Sequence, residues 1–354
     1  MTRAWAEIDA NALRHNLERI AEHVGSNCGV MAVVKANAYG HGVELVAKAL
    51  EGSRARMFGV ATLEEGALLR RRGIRKPILL FAPLQGEEWE AAAELGLMAT
   101  VEDPRTVPKL RKTLKVHLKV DTGMSRLGAP CGRPIVWPND RPDLELEGAY
   151  THFALAEIEQ EFAKQQLALF HQATSQLPLG LRHAANSPAT VNLPESWLDI
   201  VRPGLMLYGI KPFSVPIPID LRPVMTLKAR VISIRTVQRG QGVSYGHRFK
   251  STRETRIATV GIGYADGIPR RLSDMGSVLI RGRRTPIAGT ICMDMTMIDA
   301  TEIEGAQIGD IATLIGRDGE EQITVEEIAE TIGSSRHEIV TCIGPRPQRI
   351  LVNG

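Results

Sequence analysis

The sequence predicts an α/β protein, an N-terminal (β/α)8 barrel followed by a C-terminal, mainly β domain. Three observations carry this. The first ~210 residues alternate short apolar runs with amphipathic stretches, as repeated βα units do. There are about eight such units, which favours a closed barrel over an open sheet. Beyond Pro212 the texture changes to alternating strand patterns separated by Gly, Asp and Arg turns.

Taken in order, Val30–Val34 reads as a buried strand and Val43–Leu50 as a helix. Met57–Ala61 is a strand, and Leu63–Arg72 a helix ended by Gly73. Ile78–Phe81 is a strand, and Glu87–Leu95 a helix ended by Gly96. Next come the strand Met98–Val101, a helix expected after Asp103-Pro104, and the strand Val116–Val120. Gly148–His152 precedes a long helix around Ile158–Gln176, and Arg182–Ala184 and Leu198–Val201 complete the series. Pro212, Pro216, Pro218 and Pro223 mark a linker. Strands are then expected at Thr226–Val237, Thr255–Ile262, Ser277–Ile280, Thr285–Ile298 and Asp310–Ile315. In this half only Thr324–Ile332 looks helical, with Thr324 as N-cap and Glu327 three residues on. The expected domains are residues 1–215 and 216–354.

The bulk numbers exclude several classes. Aromatics are 5% and the formal net charge is +3, which argues against a nucleic-acid platform. The basic cluster Arg70, Arg71, Arg72, Arg75 and Lys76 reads as a solvated helix end. The four cysteines form no C-x-x-C pair, so neither a metal site nor a disulfide framework is expected. No apolar run approaches the ~18 residues needed to span a bilayer, and no leader is visible, so a cytoplasmic location is the expectation.

The sharpest local signal is Val33-Val34-Lys35-Ala36-Asn37-Ala38-Tyr39-Gly40-His41-Gly42. A lysine at the C-terminal end of a barrel strand stands where such active sites gather. Leaving an apolar strand for a confined site lowers its pKa and frees a neutral, nucleophilic amine. On spacing alone the reading as a lysine snorkelling at the barrel rim is the favoured one. Tyr39 adds a hydroxyl, and Gly40 and Gly42 permit a tight turn.

This block resembles the pyridoxal-phosphate lysine motif of the alanine racemase family. The resemblance continues in order through His117–Gly128, Tyr150–Phe153, Ala185-Asn186-Ser187, Val201–Gly204, Gly263-Tyr264-Ala265-Asp266-Gly267 and Cys292-Met293-Asp294, covering nearly the whole chain. It implies a racemase that interconverts L- and D-alanine with pyridoxal 5'-phosphate as cofactor and supplies D-alanine for peptidoglycan. It also implies a homodimer with shared active sites, Lys35 of one chain facing Tyr264 of the other.

By the same resemblance Lys35 anchors the cofactor and is one base, and Tyr264 is the opposed base. Racemisation needs two, because the proton leaves one face of Cα and returns to the other. Read alone, Tyr264 is a tyrosine at a Gly-rich strand-to-turn junction. Arg202 faces the ring nitrogen of the cofactor, and a donor-only guanidinium keeps that nitrogen unprotonated. His152 stands beside the ring. Asn186, Ser187, Tyr39 and the amides of Gly204 and Leu205 form the cofactor pocket around the phosphate; Ser187-Pro188 also reads as a helix start. Arg126 holds the substrate carboxylate, a suitable partner for a guanidinium fork, and the Met293 amide meets the same group. Lys119 matches a lysine carbamylated in many family members. Without that modification, a buried Lys119 would repel Arg126.

Two positions depart from the family pattern. His337, before Glu338, stands where a tyrosine usually lines the entrance near the cofactor phosphate, and Glu157 stands where an aspartate is common. Both bear on substrate access. The rival readings are a same-fold racemase acting mainly on serine or a basic amino acid, and a non-catalytic pyridoxal-phosphate carrier. Carriers usually lack a second domain, so the block around Tyr264 counts against the second rival.

Overall fold

The computed structural model describes residues 2–214 and 216–354. Met1 and Val215 lie outside the described residues; Val215 falls within the expected linker and at the expected domain boundary. The chain forms two compact units. One contains Leu13–Ala38 and Val43–Arg222; the other contains the residues up to Ala12, Tyr39–Gly42 and Pro223–Gly354.

The chain opens with β1 (Ala4–Asp9) and α1 (Ala10–Val24). In the first unit eight barrel strands then follow among the described residues: β2 (Gly29–Val33), β3 (Ala55–Val60), β4 (Ile78–Leu80), β5 (Met98–Val101), β6 (Leu114–Asp121), β7 (Leu144–Tyr150), β8 (Leu181–His183) and β9 (Ile200–Val201), with a two-residue strand, Ala129–Pro130, paired to β6. Each pairs in parallel with its neighbour, and β9 pairs with β2. The seam between β8 and β9 is joined by Asp199 N donating to Arg182 O at 3.0 Å and Arg182 N donating to the Asp199 carboxylate at 2.7 Å. The result is a nearly closed (β/α)8 barrel. Its strands are apolar on both faces because helices cover them outside and side chains fill them inside. Met31, Met57, Leu79, Met98, Leu181 and Ile200 pack together inside it.

The second unit is a mixed sheet. Its longest strand, β10 (Met225–Val237), pairs antiparallel with β1, with β11 (Thr255–Val260) and with a strand at Ile311–Asp318. Ser277–Ile280, Arg283–Pro286, Thr296–Asp299 and Glu321–Ile323 extend it. The last strand, Gln348–Val352, lies parallel to β1.

Four expectations need correction. Residues 1–215 do not all belong to the barrel, because β1 is a strand of the second unit. It buries Ala4, Ala6 and Ile8 on one face; on the other Glu7 and Asp9 stay partly exposed, while Trp5 is covered by the Arg230 guanidinium, 5.3 Å from its ring centre. The helix expected after Asp103-Pro104 does not form. The Arg141 guanidinium takes the carbonyls of Pro104, Val107 (2.9 Å) and Pro108 (3.1 Å), and Pro108 keeps Val107 out of helical geometry. Thr285–Ile298 is two strands, not one, separated by the loop that carries Cys292–Asp294. A second C-terminal helix, Arg336–Thr341, follows Val325–Ile332, capped by Ser335 Oγ accepting from Glu338 N at 3.1 Å.

Candidate active site

At the C-terminal ends of the barrel strands, Lys35 follows β2 through a strained turn. Ala36, Asn37 and Ala38 have φ of 52°, 53° and 54°, a left-handed helical turn of non-glycine residues. Each such residue costs roughly 1–2 kcal/mol, so specific contacts must hold the turn. Glu65 supplies two, its oxygens accepting from Ala36 N and Ala61 N, each at 2.7 Å. Asn37 Oδ1 accepts from Val43 N at 2.9 Å, starting the next helix.

After β6, Asp121 collects the amides of Gly123, Met124 and Ser125, each at 3.0 Å. Gly128 is required here, because a Cβ would stand 2.5 Å from Asp121 N and φ is +130°. Arg126 projects from this loop into the open. After β7 comes His152. After β8 Asn186 caps the short helix Ser187–Asn192, its side chain accepting from Ala189 N at 3.2 Å. After β9 come Arg202 and Gly204, whose N–H donates to Ser187 Oγ at 3.0 Å; the adjoining Leu205 opens a short helical turn. Ser187, Gly204 and Leu205 therefore form one buried cradle.

Arg202 is buried. It donates to the carbonyls of Thr151 (2.7 Å) and Ala184 (2.9 Å), to His183 Nδ1 (3.1 Å) and to His152 Nδ1 (3.3 Å). Its guanidinium lies 5.3 Å from the centre of the Tyr150 ring. Burial lowers its pKa to about 10, which leaves it cationic at neutral pH.

The cations of this unit act on one another. Burial pushes the Lys35 amine down, aided by Arg126 and Arg202 and opposed by Glu65. Lys119 falls to about 8 through burial and the charges of Arg126 and Arg202. His152 is held well below its ordinary value by burial and by Arg202, Arg126, Lys119 and Lys35. Lys35, Lys119, Arg126 and Arg202 thus gather positive charge at one end of the barrel, a setting that suits an anion.

The second unit brings the other candidates together in two groups. Tyr39 and His337 are ring neighbours, their centroids 5.7 Å apart at a 42° tilt. Tyr39 is buried, which pushes its phenol up, whereas His337 is exposed on the short helix Arg336–Thr341. Separately, Tyr264 and Met293 sit side by side. Tyr264 N donates to Cys292 O and Ala265 N to Met293 O, both at 3.0 Å. A Cβ on Gly263 would lie 2.3 Å from Cys292 O, so only glycine allows this approach. The buried Asp266 ties the turn, accepting from Gly263 N at 2.9 Å and pairing with Arg346 at 3.1 Å; Arg346 also donates to Asp294 at 2.7 Å. Asp294 thus orders the loop.

A different loop of this unit, tied to the first at Thr290, carries a residue that the sequence does not single out. Tyr245, 71% exposed against 41% for Tyr264, sits in a strained segment. Ser244 has φ 64° and ψ −173°, and Gly246 and His247 also have positive φ. Ser244 Oγ donates to Thr290 O at 2.5 Å, and Thr290 Oγ1 to Tyr245 O at 2.9 Å. Glu65, His117 and His183 were also missed as functional groups. No motif spacing betrays them, because they act through backbone amides or through one another. Among the described residues no group of three or more His, Cys, Asp or Glu is placed to hold a metal, and no helix is long and apolar enough to cross a membrane.

Comparison with known proteins gives a consistent result. Residues 8–212 match the family model for the alanine racemase N-terminal domain, and residues 224–351 that for the C-terminal domain. A protein of Halothermothrix orenii named alanine racemase is 40% identical, the match covering 98% of this chain and 96% of the relative. The crystal structure of alanine racemase from D-cycloserine producing Streptomyces lavendulae superposes with a TM-score of 0.92 at 35% identity, covering 100% of this chain and 98% of that one. That of alanine racemase from Bacillus anthracis with bound L-Ala-P gives 0.88 at 35%, covering 99% and 95%.

Proposed function

The chain belongs to the alanine racemase family, and we propose that it interconverts L- and D-alanine on pyridoxal 5'-phosphate with two opposed bases, Lys35 of the barrel and a tyrosine of the β unit. The observation that carries this is the gathering of Lys35, Lys119, Arg126 and Arg202 at the C-terminal ends of the barrel strands, with Lys35 leaving β2 on a strained turn held by Glu65. The cofactor phosphate and the substrate carboxylate are the anions that such a site fits.

The residues suit the cofactor. Ser187 and the amides of Gly204 and Leu205 would hold the phosphate, with Asn186 fixing the turn and Tyr39 and His337 as further candidates. Arg202 would face the ring nitrogen and His152 the ring. When bound, the cofactor's conjugated ring takes up the electron pair left at Cα. Arg126 and the Met293 amide orient the substrate carboxylate. The lowered pKa of Lys35 makes its amine available to take or return a proton at Cα on one face. Arg202, donor-only and held by the Thr151 and Ala184 carbonyls, would donate to the ring nitrogen rather than protonate it, a setting that would favour return of the proton to Cα.

For the second face, the resemblance pointed to Tyr264. The strain at Ser244–His247 supports Tyr245 instead. A non-glycine residue held at φ 64°, ψ −173° costs on the order of 1–3 kcal/mol and persists where a side chain must be presented for function. The Tyr264 side chain is the less exposed, and its N–H and that of Ala265 anchor the Cys292–Met293 segment. A base that serves the barrel of a second chain needs the freer phenol. Tyr264 then lines the approach to the site.

Tyr245→Phe and Tyr264→Phe, assayed in parallel for solvent deuterium incorporation from each enantiomer, separate the two readings. Tyr245→Phe is expected to lose proton abstraction from one enantiomer by about 100-fold or more, within the range of a lost general base. Tyr264→Phe is expected to alter mainly KM. The reverse pattern returns the role to Tyr264, and symmetrical losses in both variants remove face-specific bases altogether. Turnover across an amino-acid panel measures how far the activity extends beyond alanine.

A further inference from the structure

The barrel holds a string of polar groups that the reaction described above does not use. His117 Nδ1 lies 2.8 Å from His183 Nε2, and His183 Nδ1 lies 3.1 Å from the Arg202 guanidinium. Both imidazoles have no exposed surface. Tyr150 stacks on His183 at 4.9 Å between ring centres and 5° between planes. Space for His117 comes from Gly148, where a Cβ would stand 2.9 Å from the His117 ring and 2.8 Å from Leu181 O.

Chemistry leaves this string one arrangement of protons. A guanidinium can only donate, so His183 Nδ1 accepts. His183 therefore carries its proton on Nε2 and donates it to His117 Nδ1. His117 in turn carries its proton on Nε2, a buried nitrogen without a hydrogen-bond partner in the protein. Any other arrangement sets two donors or two lone pairs against each other. A second proton on either ring is opposed by burial and by the Arg202 charge, with Lys115 adding to the effect at His117.

We propose that His117 is a positioning residue for Arg202: by accepting from His183 Nε2 it holds that ring with Nδ1 turned to the guanidinium, and it closes the barrel interior as a route for protons. Passing a proton along the string would require Arg202 to give one up. The interior therefore orients Arg202 without protonating what Arg202 faces. His117 touches neither substrate nor cofactor and acts only through His183.

The test uses the full chain with its cofactor, labelled with nitrogen-15 in histidine. Long-range proton–nitrogen spectra are expected to show His117 and His183 neutral, with the proton on Nε2 of each, from pH 6 to 8. A proton on Nδ1 of either ring, or a cation, overturns the proposal. This arm stands whatever Arg202 faces; the kinetic arm rests on the proposed function. His117→Leu removes the acceptor and leaves the His183 Nε2–H unpaired, so the His183 ring is expected to lose its fixed setting, seen as shifted and broadened nitrogen resonances. It should lower kcat about tenfold while KM stays within about twofold, the scale of one misdirected hydrogen bond to a charge. His117→Asn offers an amide oxygen where Nδ1 stood and is expected to restore the His183 resonances and most of kcat. If Asn and Leu lose kcat equally, or if the His183 resonances are unchanged in the Leu variant, His117 is packing alone and the proposal fails. Loss of covalent cofactor from both the wild-type protein and the variants would instead point to failure of the functional reading, with the wild-type nitrogen spectra unaffected.

Discussion

Lys119 is the single residue whose chemistry is most open to measurement. Burial and the charges of Arg126 and Arg202 bring its pKa to about 8, against smaller opposite effects of Glu102 and Asp121. Carbamylation needs the neutral amine, whose fraction grows as pH rises through that value. The resulting carbamate would replace a cation beside Arg126 with an anion. In CO2-depleted buffer we expect reduced activity and a raised KM, restored by CO2 and, at one fixed CO2 pressure, restored faster at pH 8.5 than at pH 6.5. Equal activity with and without CO2 would leave Lys119 unmodified. Arg202 has its own test. Arg202→Glu should protonate the ring nitrogen, visible as a shifted absorption band, and should increase transamination relative to racemisation. An unchanged spectrum and product ratio would place Arg202 away from the ring. Both residues were legible in the sequence because they stand in ordered blocks at strand ends. His117 and His183 were not, since a buried imidazole reveals its partners only when β6 and β8 are folded side by side.

At the level of elements, the turn from Lys35 to Gly40 shows why sequence patterns stop short. The strand before it and the helix Val43–Leu50 after it are visible as apolar periodicity. Nothing in Ala36-Asn37-Ala38-Tyr39 announces four residues with positive φ, because that geometry is imposed by distant partners such as Glu65. Gly40 ends the turn at φ +78°, and a Cβ there would stand 2.0 Å from Val340 O. Gly40→Ala should therefore destabilise the protein by roughly 2–3 kcal/mol, combining backbone strain with the steric clash. Urea unfolding monitored by circular dichroism would measure it, and a change below 0.5 kcal/mol would mean that the helix Arg336–Thr341 yields easily. Pattern reading failed in a related way after Asp103, where Arg141 takes up the carbonyls that a helix would have used. It also overlooked Tyr245, because strain at Ser244 belongs to backbone geometry and leaves no compositional mark.

At the scale of the whole molecule, the barrel followed by a β domain was readable from the change of texture near Pro212. What could not be read was that β1 leaves the barrel to join the second unit. The proposed homodimer makes a prediction of its own. If each site takes Lys35 from one chain and its tyrosine from the other, Lys35→Ala and Tyr245→Phe proteins should each be nearly inactive. Unfolding and refolding an equimolar mixture should recover about a quarter of wild-type activity, since half of the dimers are hybrids and each hybrid has one intact site. No recovery from two inactive proteins would mean that lysine and tyrosine act within one chain; a Tyr245→Phe protein that is active by itself would mean that Tyr245 is not the base, and the mixture is then made with Tyr264→Phe.

The parallel pairing of β1 with Gln348–Val352 has a consequence for biosynthesis. A strand made at residues 4–9 has among its neighbours one made only at residues 348–352, and Asn353 Nδ2 reaches back to Asp9 at 2.7 Å. Arg349, on that later strand, donates twice to Gly40 O, at 2.9 and 2.8 Å, so the far end of the lysine turn is also tied by a residue 309 positions further along the chain. Barrel strands can pair while translation continues, but this corner of the β unit must wait for residues 348–353 to be made. A nascent chain stalled before residue 348 would carry every residue of the proposed chemistry and still leave the lysine turn loose at its far end.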